Sequence, residues 1–377
     1  MRKVTVFCSD FITSLGLVRT IGEAGYEVEC FCYGPCSDYI LGSKYVVKGT
    51  GFKTCEDAIN YLVEEYPIKE EKSILFTIPD PPAYYVDLHL DVLSKKFILF
   101  NAGEPGKVVY WMDKHNISNL AQKYGFNTPW AIKLSKGDSL PEDLNYPVFV
   151  KSTISTLGGK RDEGICYSKQ ELEVKKGSLI SEDFIVMQYI KKLKEINYFG
   201  IAIKGHVYID YHDVRERFPN DAYGEYNSFH KCTYDDFHSR MISMIKETNY
   251  QGLFDVEFLV DEKGNYYFME VNFRVDGEIY KLALGIDLPD YWCKLVDCPE
   301  EKLPERLETK KDNFVGITEL TDFRNSVMSG QINFFSWFWQ FISADRRMLV
   351  NLKDPRPAWL RTWGIIKRRI PFFKKYN

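Results

Sequence analysis

Phe254-Asp255-Val256-Glu257-Phe258 and, a short turn later, Phe268-Met269-Glu270-Val271-Asn272-Phe273-Arg274 alternate apolar and polar residues, the period of a half-buried strand. Asp261-Glu262-Lys263-Gly264-Asn265 between them supplies turn residues, so the pair predicts an antiparallel hairpin. On the second strand Glu270, Asn272 and Arg274 fall at i, i+2 and i+4 and share one face, and Glu257 can meet them across the ladder. Two carboxylates and an amide oxygen are hard ligands, suited to Mg²⁺ held between protein and phosphate oxygens. An arginine alongside suits an anion, or charge that develops in a transition state. Solvated strand faces carry the same residue types, so the rest of the chain must decide.

Upstream, Pro147-Val148-Phe149-Val150-Lys151 predicts a short apolar strand that delivers a lysine at its end. Ser152 to Lys160, containing Ser155, Gly158, Gly159 and Lys160, follows as a small, polar, Gly-containing loop. Its N–H groups and hydroxyls could cradle phosphates, with Lys151 adding a point charge. Gln188-Tyr189-Ile190 ends another predicted strand, where a flat base could meet backbone groups between apolar side chains. Glu195 could accept hydrogen bonds from ribose hydroxyls. Taken singly, Gln188 and Glu195 read first as ordinary surface groups.

The first hundred residues alternate strand-like and helix-like segments, which predicts a doubly wound parallel sheet. Ser9, Asp10, Ser14 and Gly16 follow the first strand, but no complete GxGxxG is present, and an ordinary strand-to-helix loop is the favoured reading. From Met112 the pattern becomes α+β with antiparallel pairs, and from about Asn313 an aromatic and basic tail begins. The expected units are therefore 1–112, an α/β domain; 113–190, a small lobe; 191–312, a large lobe with the metal site; and 313–377, a small helical C-terminal extension.

At 377 residues the chain exceeds one ordinary core. A net charge of −4 lacks the basic footprint of a general nucleic-acid binder. The nine cysteines are odd in number and scattered, which argues against a disulfide framework and for a reducing cytoplasm. Cys30, Cys32 and Cys36 come closest to a cluster, without a second pair at zinc spacing.

Lys114, Lys151, the Ser155-to-Lys160 loop, Gln188-Tyr189-Ile190, Glu195, Glu257 and Glu270-Val271-Asn272-Phe273-Arg274 come in an order and spacing that resembles the ATP-grasp superfamily of carboxylate–amine ligases. The resemblance covers about residues 1–310. Ser14-Leu15-Gly16-Leu17-Val18-Arg19, Gly22 to Val28, Ser43-Lys44-Tyr45, Asp80 and Gly285-Ile286-Asp287-Leu288-Pro289 look most like the group of D-aspartate ligase and carbamoyl-phosphate-synthase-like proteins.

That resemblance implies a two-lobed ATP-grasp core after the α/β domain. Lys114 and Lys151 would bind ATP phosphates under the Ser155–Lys160 loop, Gln188 and Ile190 would contact adenine, and Glu195 the ribose. Glu257, Glu270 and Asn272 would hold one or two Mg²⁺ ions, or Mn²⁺ in their place, with Arg274 beside an acylphosphate. The implied activity joins a small-molecule acid to an amine, such as an amino acid added to a cell-envelope precursor. A non-catalytic nucleotide-binding scaffold and an ATP-grasp enzyme with a non-amide product are the alternatives, and a homodimer is a further expectation. Three departures stand out: Gln188 where many relatives carry Glu, fewer glycines in the loop, and Phe273 where proline is common.

Arg215 and Arg217 alternate to one face if His212 to Arg217 is a strand, and could clamp a substrate carboxylate or phosphate; a charged strand edge is the equal alternative. Phe334 to Trp339 is too short to cross a membrane and is expected to pack on a domain. Arg361, Lys367, Arg368, Arg369, Lys374 and Lys375, interleaved with Trp363, Phe372 and Phe373, could lie on an anionic bilayer at the inner face of the membrane.

Overall fold

Val4–Ser9 (β1) is buried along its whole length, as a strand covered on both faces must be. It pairs in parallel with Val28–Tyr33 (β2) and Ser73–Ile78 (β4). With Val46–Phe52 (β3) and Phe97–Leu99 (β5) the order is β3-β2-β1-β4-β5. Val4, Val6 and Cys8 pack towards the helix Ile12–Glu23, while Phe7, Phe31 and Leu75 pack on the other face. The chain reverses direction across the sheet between β1 and β4, so the loops after these two strands open at the switch point where such sheets place ligands. The structure is a computed structural model describing residues 2–158, 161–218 and 224–369.

A four-stranded antiparallel sheet follows, Ala131–Ser135 (β6), Val148–Ser152 (β7), Gly164–Cys166 (β8) and Asp183–Gln188 (β9), in the order β6-β9-β7-β8. Val148, Val150, Phe184 and Val186 fill its core with Leu172. By the two-residue period Lys151, Ile185 and Met187 then belong to the opposite face.

The third sheet joins Lys192–Ile203 (β10), His206–Arg215 (β11), Tyr226–Lys231 (β12), Gly252–Asp261 (β13), Tyr266–Asn272 (β14), Asn313–Ile317 (β15) and Arg346–Arg347 (β16). Their order is β14-β13-β10-β11-β12-β15-β16. The β13–β14 hairpin turns where expected. Asp261 Oδ1 accepts from the N–H of Lys263 (2.9 Å) and Asn265 (2.8 Å), and Gly264 supplies φ +82°.

Residues 313–377, expected as a helical extension, also complete this sheet: β15 pairs with β12, and β16 runs parallel to β15. The tail then returns to the first domain. Arg19, fully buried, donates from Nε to Asp354 (2.9 Å) and from its Nη atoms to the carbonyls of Met348, Leu349 and Asp354. Ser43 Oγ and Lys44 N also donate to Asp354. The helix Phe334–Ser343 packs through Trp337 but leaves Phe335 81% and Trp339 71% exposed, so the aromatic block is only half packed. No helix among the described residues is long and apolar enough to cross a membrane.

Candidate active site

The register of the third sheet sets Glu270 opposite Glu257, Glu257 opposite Asn197, and Asn197 opposite Asp213. One polar row therefore crosses four strands. The ladder shifts just after Glu257, a bulge that the alternation in sequence does not reveal.

Two lysines close on this row. The helix Lys114–Lys123 begins at Asp113, whose carboxylate accepts from the N–H of His115 (2.9 Å), and Lys114 N donates to Thr153 O (3.1 Å). Lys114 Nζ then lies 3.0 Å from Glu270 Oε2 and donates to Ser155 Oγ (2.7 Å). Lys151, at the end of β7, lies 3.7 Å from the same carboxylate. Lys114, Lys151, Ser155 and Glu270 thus meet across the two lobes. Burial alone would raise the carboxyl of Glu270, yet the two lysines outweigh it and hold the group down at about 2. Burial lowers Lys151, while Glu270 keeps Lys114 above its ordinary value. Gly159 and Lys160 lie outside the described residues, and Gly158 ends the short helix Ser155–Gly158.

Asn272 donates from Nδ2 to Asp255 (2.9 Å) and Glu257 (2.8 Å), so its Oδ1 is the atom that could serve a cation. Burial, then Glu270 and Glu195, push Glu257 up to about 8. So crowded a set of buried carboxylates calls for a cation, and hard oxygens from Glu257, Glu270 and Asn272 suit Mg²⁺. Among the described residues no three His, Cys, Asp or Glu side chains converge as a ready-made metal cage. Glu257, Glu270 and Asn272 nevertheless lie together, with Glu270 held by the two lysines.

Arg274 follows β14 and is held from three sides. Nε donates to Asp80 (2.7 Å), Nη1 donates to Asp255 (3.2 Å), and Asp276 lies 3.5 Å away. Asp80 comes from the first domain, at the start of the helix after β4, and Val275 N donates to Thr77 O (3.3 Å) beside it. Asp255 and Asp276 escaped the sequence reading, although each lies two residues from a named site residue on the same parity.

A groove lies beside the lysines. Ala131, Ile185, Met187, Phe268 and Met269 give it apolar walls, Ser118, Asn119 and Gln122 of the helix Lys114–Lys123 a polar one, and Lys114 and Lys151 also line it. Gln188, expected against adenine, ends β9 and donates its backbone N–H to Trp130 O (2.9 Å), and Ile190, two residues on, is buried. The groove residues of β9 are Ile185 and Met187, because β9 ends at Gln188 and strand parity selects them. Glu195, expected at the ribose, is buried against Lys192 (3.2 Å), with Arg215 3.9 Å away.

The anion-clamp expectation fares differently for its two arginines. Arg215 lies within the site's polar network, 3.2 Å from Glu278, 3.5 Å from Asp213 and 3.9 Å from Glu195. Arg217 instead turns to Asp322 (3.1 Å) and Gln340 and covers the ring of Tyr226. The physical reason is charge pairing: Asp322 is fully buried and needs a cation.

Residues 227–296 match the family described as carbamoyl-phosphate synthase L chain, ATP binding domain. The 2-oxoglutarate carboxylase small subunit of Hydrogenobacter thermophilus is 26% identical over 164 residues, 40% of this chain and 34% of that protein. The chain thus spans about a third of the length of this curated relative. Among solved structures, the biotin carboxylase domain dimer of the Hydrogenobacter thermophilus 2-oxoglutarate carboxylase aligns with a TM-score of 0.63 at 16% identity, over 84% of this chain and 74% of that one. The L-amino acid ligase of Bacillus licheniformis aligns with a TM-score of 0.55 at 16% identity, over 75% and 70%. The chain thus shares the fold of these ATP-dependent carboxylase and ligase structures, and its family match falls on the segment that carries Glu257, Glu270, Asn272 and Arg274.

Proposed function

We propose that this protein is an ATP- and Mg²⁺-dependent ligase that activates a carboxylate as an acylphosphate and passes it to an amine. The observation that carries this reading is the meeting of Lys114, Lys151 and Glu270 beside Glu257 and Asn272, at a groove of mixed polar and apolar lining. A purine would lie between Ile185, Met187 and Phe268, with its triphosphate towards the two lysines. The solved relative contains MgADP, ADP and bicarbonate, which supports the same cofactors here.

Mg²⁺, bound by Glu257, Glu270 and Asn272, would offset charge on the phosphate oxygens. Lys114 and Lys151 neutralise the same anion from the small lobe, and Ser155 Oγ, already bonded to Lys114, lies beside it. A substrate carboxylate oxygen attacks the γ-phosphorus while the bond to the β-phosphate oxygen breaks, releasing ADP. The amine then attacks the acyl carbon, the carbon–oxygen bond to phosphate breaks, and the nitrogen loses a proton as the amide forms. Arg274, fixed by Asp80, Asp255 and Asp276, supplies a positioned positive charge for the acyl oxygens. Arg215 would orient the second substrate through the Glu278 and Asp213 network. The dimeric form of the solved carboxylase domain supports a homodimer.

The carboxylase relatives favour a second reading, in which bicarbonate is the activated acid. Calorimetric titration of Mg-ATP into the wild type and Glu270→Gln tests the shared part of both. Mg²⁺-dependent binding that weakens at least about tenfold in the variant is the expected outcome. Full binding and ADP release in Glu270→Gln would remove Glu270 from the machinery. Product analysis with bicarbonate and with amino acids then separates the two readings.

A further inference from the structure

We infer that the protein docks on an anionic lipid bilayer through the exposed aromatic face of the helix Phe334–Ser343 and the basic helix Arg356–Arg369. This inference does not depend on the proposed reaction. The first helix contains no charged residue. Phe334, Phe338 and Ile342 at i, i+4 and i+8, with Phe335 and Trp339 beside them, are 45–81% exposed, and together they form one stripe. Trp337 anchors the opposite side, against Phe323 at 5.0 Å. The helix is therefore fixed on the protein with its most apolar face turned outward, which is the arrangement of an interfacial helix.

The second helix repeats this polarity. Arg361 covers the Tyr39 ring and donates to its hydroxyl (3.2 Å), which seats the helix on the first domain. Trp359 is 64% exposed and stacks on Trp363. Between the two helices Leu352 is 93% exposed, so exposed apolar side chains recur along the chain from 334 to 366.

Charge selects the occupant. The helix Arg356–Arg369 carries five Lys and Arg residues and no Asp or Glu, in a chain whose net charge is −4. A second copy docked by two-fold symmetry would set this positive segment against itself. A bilayer with anionic headgroups offers the complementary charge, and each basic residue near such a surface adds attraction that salt screens. Tryptophan and phenylalanine at headgroup depth supply the apolar contact.

The test is co-sedimentation of the full chain with phosphatidylcholine vesicles, with and without phosphatidylglycerol, at low and high salt. Sedimentation velocity without lipid runs beside it. The expected result is binding to the phosphatidylglycerol vesicles that weakens with salt and falls at least about tenfold in Phe335→Ser/Trp339→Ser. Lys367→Glu/Arg368→Glu/Arg369→Glu should also bind less and lose most of the salt dependence. Three results would each overturn the inference: no vesicle binding by a folded wild type, equal binding by the aromatic variant, or self-association that the aromatic variant abolishes while lipid is ignored.

Discussion

The two ends of the seven-stranded sheet invert the usual rule of polar outside and apolar inside. At the β14 end, Arg274 sits among Asp80, Asp255 and Asp276, and two lysines hold Glu270, all largely withdrawn from water. Near β15 and β16, the helix Phe334–Ser343 turns Phe335 and Trp339 into solvent. Each end keeps groups where stability alone would not place them, and function is the common explanation. The buried charges are tolerable because each has an opposite partner, and the exposed rings because Trp337 secures the helix from beneath.

The largest effect should come from breaking the first end. Arg274→Met strands three carboxylates, one of them fully buried, and should cost roughly 3–5 kcal/mol at neutral pH as well as activity. The deficit should shrink as pH falls, because protonation removes the unpaired charge. Urea midpoints at pH 7 and pH 5 read both, and a deficit equal at the two would mean that packing, not charge, was lost. At the other end, Trp337→Ala should cost about 3 kcal/mol, since Trp337 fills a small cluster with Phe323 and Phe341. The exposed neighbour Phe335 tolerates Ser within about 0.5 kcal/mol. Equal thermal shifts for the two substitutions would show that the helix is not anchored as described.

Asp87 sharpens the comparison because it is a buried carboxylate with no cation beside it among the described residues. Burial pushes it up to about 6, and Val109 N–H donates to one oxygen (2.9 Å). The folded state therefore binds this proton more tightly than the unfolded chain, whose aspartate titrates near about 4. Stability from this group is complete below the unfolded value and is lost as pH rises through about 6. Asp87→Asn should flatten that loss, with a gain on the order of 1–2 kcal/mol at pH 8 after allowance for solvent screening. Identical pH profiles of unfolding for variant and wild type would show that Asp87 stays charged in the fold.

Local pattern made the hairpin legible: strict alternation, a turn rich in Asp, Gly and Asn, and polar residues of one parity. It could not reveal Asp80 beside Arg274, since those residues are 194 positions apart and meet only because β4 ends next to β14. β3 was not foreseen because it is an edge strand, mostly exposed and carrying Gly49 and Gly51. The strand parity of Arg215 and Arg217 suggested one shared clamp. The chain leaves β11 after Arg215, so Arg217 answers to a different carboxylate. Phe334 to Trp339 read as a packing block because composition reports how apolar a segment is, not which way it faces.

The bond between Arg19 and Asp354 joins residues 335 positions apart. On a ribosome adding about 5–20 residues per second, the guanidinium would wait roughly 17–67 s for its partner to emerge. Until then the helix Ile12–Glu23 would present a cation without its carboxylate, so a part of the chain made early is sealed by one made 335 residues later.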